Sequence, residues 1–348
     1  MVKIGIIGVG GIVQGVHIPG LKAATGGKIV AICDTNPETL KKVGDMLEIP
    51  AEYRFENHLD LIACPEVDAV EICTPNHLHV PMSLDVMKAG KPFQVEKPLS
   101  INKEEAAKLY NALKENFTPN MMCFSYRYCS AVRYAKDIIE QGQLGDIVHV
   151  NVEYQKDSAF WKGRPMEWRF EKKCAGTGVL GDLGVHLIDM AQFLVGDMKS
   201  VCSRTGIVVK KRPITGTDKM GDVETDDFCN FMADFHCGAA GVFSVTRCAV
   251  GQGNTIKYGI FGTKGMISFN LNFPDELSVC IGEVDVETRG QHTVQVPKKY
   301  RVSQEQTFID MVMGKECQYL PTVEDGMKCQ KILDSLLESS VKNCWIDL

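Results

Sequence analysis

The first third of the chain alternates short, nearly continuous apolar runs with stretches whose apolar residues recur at helical spacing. Lys3 to Gly8, Ile29 to Asp34, Ala69 to Thr74 and Phe93 to Glu96 are rich in Ile and Val and read as strands buried on both faces. Between them, Val80 to Ala89 sets Val80, Leu84 and Met87 on one helical stripe and stops at Gly90, a residue suited to the position after a helix. Ser100 reads as the N-cap of a further helix with Ala106, Leu109, Tyr110 and Leu113 inward. Strand and helix in alternation predict an α/β domain with a doubly wound parallel sheet over residues 1–122.

From about Ile147 the period shortens to two. Cys229, Phe231, Ala233 and Phe235 fall on one face and Asn230 and Asp234 on the other; Phe243 and Val245 alternate with Ser244 and Thr246, and Thr263-Lys264-Gly265 makes a turn between two further strands. The pattern predicts a large, open, mostly antiparallel sheet with one covered face. Helical spacing returns from Ser303 to Lys342, broken near Pro321, with Ile332, Leu336 and Leu337 inward. Residues 123–348 are therefore expected to form an α+β domain, whose exposed sheet face would be a natural dimer surface. A chain of 348 residues exceeds the usual single-domain size, so a cleft between two domains is expected.

Composition narrows the function. Apolar residues make up 45% and charged residues 24%, the balance of a globular protein. The net charge of −6, without a block of like charge, excludes a nucleic-acid footprint. A strand-like run directly after Met1 leaves no room for an export signal, and no apolar stretch approaches the roughly 20 residues of a membrane span. A cytoplasmic protein without a membrane partner is expected. The 14 cysteines include no C-x-x-C pair, so reduced, mostly buried thiols are expected rather than a disulfide or zinc framework.

Chemistry concentrates at strand ends. The first strand runs into Gly8-Val9-Gly10-Gly11-Ile12-Val13, where glycines permit a tight turn and close approach of backbone N–H groups to a pyrophosphate. Asp34, ending the next strand, is placed to accept from ribose hydroxyls and to repel a 2′-phosphate. A Rossmann-type domain with NAD as cofactor follows; Val13 stands where the fingerprint has its third glycine. Thr74-Pro75-Asn76-His77-Leu78-His79 and Glu96-Lys97-Pro98 end two further strands. Their residues allow either ligand loops or a helix-opening turn and a surface ion pair. His77 and His79 lack carboxylate or cysteine companions nearby, so no metal is expected. Farther on, Asp182, His186 and Asp189 fall on one helical face, where carboxylates can orient an imidazole and raise its pKa for proton transfer; a structural histidine is the alternative.

Taken together, Gly8-x-Gly10-Gly11-Ile12, His17-x-Pro19, Thr74-Pro75-Asn76-x-x-His79, Glu96-Lys97-Pro98, Trp168-Arg169 and Gly178-x-Leu180-x-Asp182-x-Gly184-x-His186-x-x-Asp189 resemble the Gfo/Idh/MocA oxidoreductases over nearly the whole chain. The resemblance implies that Lys97, Asp182 and His186 are the catalytic set and that Pro98 follows a cis peptide. It implies cofactor contacts from Gly8, Gly10, Gly11, Ile12, Asp34, Thr74, Pro75, Asn76, His79, Glu96 and Lys97. Tyr126, Arg127, Lys156, Trp161, Arg164 and Trp168 are expected to contact a carbohydrate or polyol substrate together with Asp182 and His186. The implied activity is NAD(P)-dependent dehydrogenation of a CH–OH group in a sugar, inositol or glycoside, within a homodimer or homotetramer. Oxidation that initiates glycoside cleavage by elimination, alone or with a partner lyase, is the alternative, and a non-enzymatic NAD sensor has no need of the catalytic set.

Overall fold

The computed structural model describes residues 1–161 and 163–348, which divide into two compact units. One comprises Met1–Phe124 and Ser303–Gln330, the other Ser125–Val302 and Lys331–Leu348.

In the first unit, β1 (Val2–Ile7), β2 (Gly27–Cys33), β3 (Arg54–Phe55), β4 (Ala69–Ile72), β5 (Phe93–Val95) and β6 (Asn120–Met122) form one sheet in the order β3-β2-β1-β4-β5-β6. Every pairing is parallel, so each connection crosses over, through α1 (Ile18–Ala23), α2 (Pro37–Met46), α3 (His58–Ala63), α4 (His79–Lys88) and α5 (Lys103–Glu115). The four expected strands are present. β3 and β6, at the two edges, are only two and three residues long and show no period in the sequence. The sheet order reverses direction between β1 and β4, which makes the carboxyl ends of the central strands the ligand-facing rim of such a fold.

Two local expectations are corrected. The cap of α5 is Asn102, whose Oδ1 accepts from the Glu105 N–H at 2.8 Å, while the Ser100 hydroxyl donates to the Asn102 carbonyl at 2.5 Å. On α4 the buried stripe is His79, Val80, Ser83 and Val86 rather than Leu84 and Met87. The two stripes are adjacent on the helix.

The second unit contains β7 (Ile147–Lys156), β8 (Met198–Gly206), β9 (Lys211–Pro213), β10 (Met220–Asp222), β11 (Phe228–Phe235), β12 (Ala240–Thr246), β13 (Asn254–Gly262), β14 (Gly265–Asn270), β15 (Glu276–Ile281), β16 (His292–Gln295) and β17 (Ile346–Asp347). With them run α6 (Ser130–Glu140), α7 (Lys172–Ala175), α8 (Val185–Leu194) and α9 (Glu283–Thr288). Nine strands make one sheet, β16-β15-β14-β13-β7-β12-β11-β8-β17, in which β7 and β12 pair in parallel and the other pairs are antiparallel; β9 and β10 pair separately. The alternation of β11 is realised, with Cys229, Phe231, Ala233 and Phe235 buried and Asn230, Met232 and Asp234 exposed. Phe231 stacks on Phe243 with ring centroids 4.4 Å apart.

The last segment begins in the first unit with α10 (Gln304–Val312) and the start of α11 (Val323–Lys342). Thr25 N–H donates to Gln306 Oε1 at 2.8 Å, Met122 N–H to the Pro321 carbonyl at 2.9 Å, and Val323 N–H to Asn120 Oδ1 at 2.8 Å. These bonds join residues far apart in sequence. Among the described residues no helix is long and apolar enough to cross a membrane, and the 14 cysteines are free thiols.

One polar network lies inside the first unit. His17 Nδ1 is bonded to Glu71 Oε1, and its Nε2 lies 2.9 Å from Glu96 Oε1; Gln94 Nε2 donates to the same Glu71 oxygen. His17 is 1% exposed and Glu71 and Gln94 are fully buried. Burial disfavours the charged imidazole, yet the carboxylates of Glu71 and Glu96 hold its pKa well above the ordinary 6.5. Burial would likewise raise the Glu96 carboxyl, but the hydrogen bond and charge of His17 bring it down to about 2 from 4.5. The Glu96 contribution to stability is complete above pH 4.5 and drains away as pH falls towards 2. That of His17 is complete below pH 6.5 and is lost as pH rises through its raised value. The pair therefore supports the first unit best between about pH 4.5 and 6.5. Thermal midpoints measured across pH should fall on both sides of that window, and a His17→Gln variant should flatten the profile; a variant curve parallel to the parent would show that other groups carry the dependence.

Candidate active site

The rim of the first unit starts at Gly8, which leaves β1 with φ of +85°, and whose N–H donates to the Cys33 carbonyl at 2.8 Å. A Cβ there would lie 2.7 Å from the Cys73 carbonyl oxygen, so only glycine allows β1 and β4 to diverge so closely. Gly10 and Gly11 have nothing within 4 Å of where a Cβ would stand, and both are exposed beside the half-exposed Ile12. Their backbone is open to a ligand that can approach closely. Val13, in place of a third glycine, is fully buried, and the chain is wound wide as a π-helical turn from Val13 to His17 before α1.

Asp34 is half-buried at the end of β2. Its Oδ2 accepts from Val9 N–H and its Oδ1 from Asn36 N–H, each at 2.9 Å, so the carboxylate anchors the glycine loop and keeps lone pairs for ribose hydroxyls. After β4, Thr74 Oγ1 is buried without a hydrogen-bond partner among the described residues, which suits a polar ligand at this rim. Pro75 is half-exposed and Asn76 buried. The glycine cradle, the acid of Asp34 and the orphaned hydroxyl of Thr74 fit a dinucleotide.

Two expected cofactor residues are engaged by the protein itself. His79 is 1% exposed, with Nδ1 2.7 Å from the Pro98 carbonyl and Nε2 2.8 Å from the Thr74 carbonyl; the neutral ring donates to one of them. Burial pulls its pKa down against those two carbonyls. Glu96 faces His17 and accepts from the Lys97 N–H at 3.0 Å. Lys97 is half-buried and its peptide to Pro98 is cis, as the resemblance implied. The ligating atoms of His17, Glu71 and Cys123 lie within 4.8 Å of one another, but both ring nitrogens of His17 already face carboxylates and burial pushes the Cys123 thiol well up. The cluster is a hydrogen-bonded network.

In the second unit, His186 is the second residue of α8, 6% exposed, and follows a π-helical turn from Leu180 to Gly184 that carries Asp182. Asp226 holds this turn: its Oδ1 accepts from Gly178 N–H at 2.6 Å and its Oδ2 from Leu180 N–H at 2.8 Å. A Cβ on Gly178 would lie 2.0 Å from the Asp226 carbonyl, which explains the glycine. Tyr126 meets the His186 ring edge-on at 4.7 Å between centroids, its hydroxyl lies 3.1 Å from that of Tyr154, and Tyr154 donates to Asn254 Oδ1 at 3.0 Å. Burial, with Tyr126 and Asp182 nearby, pushes the Tyr154 phenol up. Sequence reading missed Tyr154, Asn254 and Asp226, which lie in strands or before one, with no local motif around them.

The remaining expected residues separate. Arg127 is buried and gives a two-pronged ion pair to Asp189, with Nε 2.8 Å from Oδ2 and Nη2 2.6 Å from Oδ1; it anchors α8 instead of offering its charge to a substrate, and Asp189 answers Arg127. Arg164 folds back to the Ser158 carbonyl at 3.0 Å and stacks on Phe170, as do Arg212 and Arg247. Trp161 is exposed, Trp168 is half-buried beneath Arg169, and Lys156 is half-buried at the end of β7.

Comparison with known proteins identifies the family. Residues 2–122 match the oxidoreductase family with an NAD-binding Rossmann fold, and residues 132–268 match the GFO/IDH/MocA C-terminal domain. Levoglucosan dehydrogenase of Pseudarthrobacter phenanthrenivorans is 31% identical, over 91% of this chain and 88% of that protein. Glucose-6-phosphate 3-dehydrogenase of Bacillus subtilis is 26% identical over 97% of this chain and 96% of its own length. A structure of levoglucosan dehydrogenase in complex with NADH superposes with a TM-score of 0.91 at 30% identity, covering 99% of this chain and 98% of that one. With both of its domains matched, this chain belongs to the GFO/IDH/MocA family of oxidoreductases and carries that family's NAD-binding Rossmann fold.

Proposed function

We propose that the protein is an NAD-dependent dehydrogenase that oxidises a secondary hydroxyl of a sugar or polyol. The observation that carries the reading is the surrounding of His186, a buried imidazole against the Tyr126 ring and a chain of hydroxyl and amide groups from Tyr126, Tyr154 and Asn254, with the Asp182 carboxylate near Tyr154. Such a wall of donors and acceptors suits a ligand with several hydroxyls, and the relatives named as dehydrogenases of levoglucosan and glucose 6-phosphate support a sugar.

NAD supplies the hydride acceptor when bound. The neutral His186 ring takes the proton of the substrate hydroxyl, and Asp182 steadies the ring and the charge it gains. The Lys97 ammonium donates to the same oxygen and favours its developing negative charge, an effect strengthened where water is scarce. Reduction of the ketone runs these transfers backwards. The exposed apolar pair Met232 and Val242, opposite one another on β11 and β12, supports assembly of copies through the open sheet face, which mass measurement in solution tests. Incubation with NAD and a panel of anhydrosugars, inositols and monosaccharides should give stoichiometric NADH and ketone; product without NADH would point to cleavage by elimination.

Lys97→Ala and His186→Ala should each lower kcat by about 10²- to 10⁴-fold while NAD binding is retained, because both groups act on the substrate oxygen. Near-normal turnover in either variant would remove that residue from the mechanism. Asp34→Ala should weaken NAD and narrow its advantage over NADP, since it removes the acid at the ribose position together with the anchor of the Val9 N–H. Titration of both dinucleotides by fluorescence checks this, and an unchanged ratio would refute the role of Asp34.

A further inference from the structure

Two buried histidines take no part in the proposed reaction, yet they grip the residues on either side of Lys97. His17 faces Glu96 through Nε2 at 2.9 Å and Glu71 through Nδ1, while His79 faces the Pro98 carbonyl at 2.7 Å and the Thr74 carbonyl at 2.8 Å. Lys97 stands between, its N–H donating to Glu96 Oε2 at 3.0 Å. We propose that His17 and His79 are positioning residues that clamp the Glu96-Lys97-Pro98 segment to β4 and so aim Lys97, with Glu71 belonging to the clamp because it fixes His17. The inference rests on the reading of Lys97 as the group that meets the substrate oxygen.

The segment needs such an anchor. β5 ends at Val95, so Lys97 lies beyond its ladder, where the backbone N–H is answered by a side chain. A lysine head on a flexible stem of four carbons keeps a defined place only if the root of the stem is fixed, and a misplacement of about 1 Å can lower turnover on the order of 10²-fold. The clamp reaches both neighbours of that root. Glu71 Oε2 has no hydrogen-bond partner among the described residues, so the orientation of this buried carboxylate is set at Oε1, by His17 and Gln94. With a carboxylate at each ring nitrogen, the imidazole of His17 cannot turn without breaking two bonds. The loop at Val13–His17, strand β4 and the end of β5 are joined at one point.

The test uses the full chain with His17→Gln and His79→Gln, and Glu71→Gln as an isosteric variant if His17→Gln does not fold. Acylation of Lys97 by a small activated ester, followed peptide by peptide with mass spectrometry and without substrate, reads the freedom of the side chain directly. Lys97 should label several-fold faster in each variant, with Lys91 and Lys103 unchanged as references. An unaltered Lys97 rate in variants with native circular dichroism overturns the proposal. In a second arm, each substitution should lower kcat/KM about 10²-fold in the parent but no more than about twofold in a Lys97→Ala background. Equal losses in both backgrounds would mean a general structural effect and also overturn it. Labelling needs no turnover, so faster labelling with no activity on any sugar would defeat the dehydrogenase reading and leave the clamp standing.

Discussion

A carboxylate in the middle of a parallel sheet has to be answered at its own depth, and in this protein Glu71 of β4 is answered by His17. An isolated ionised carboxylate buried among apolar residues is too costly to persist, and a buried pair is tolerated only with good geometry and further hydrogen bonds. Gln94 from the neighbouring strand and Glu96 at its end complete that geometry. The consequence is mechanical as much as electrostatic, because the wide turn that delivers His17 also follows the glycine loop, and Glu96 precedes Lys97. Cofactor cradle and lysine thus stand on one base.

The second unit solves a related problem with backbone donors. The first N–H groups of a helical segment have no partner within it, and Asp226 takes two of them at the turn leading to His186. Arg127 and Asp189 fix the following turn through a buried ion pair. The imidazole is therefore carried on a helix start held at both ends, and its orientation does not depend on a mobile loop.

Much of the architecture was legible in the chain. The apolar strands announce themselves because a strand buried on both faces is nearly continuous in apolar residues, with Glu71 and Gln94 as the polar exceptions, and the half-covered sheet shows as a period of two. Glycine positions were legible for the same kind of reason: a left-handed φ or a backbone approach below 3 Å, as at Gly8, admits no other residue. The two-residue β3 and three-residue β6 left no such trace, whereas the equally short β5 was read because it runs into Glu96-Lys97-Pro98.

What the sequence by itself determined was the order of elements, the strand ends that carry chemistry and the residue types gathered there, because each follows from local periodicity, turn geometry or motif spacing. Only the tertiary structure decided which partner each polar group takes. Arg127 is paired with Asp189 and not left for a ligand, His79 bridges Thr74 and Pro98, and Tyr154 and Asn254 stand in the chain of groups beside His186. Glu71, one polar residue in an apolar strand, becomes the centre of a network only when residues 54 positions and 23 positions away are folded against it. Hydrogen bonds and ion pairs act over a few ångströms in space, and distance along the chain carries no record of them.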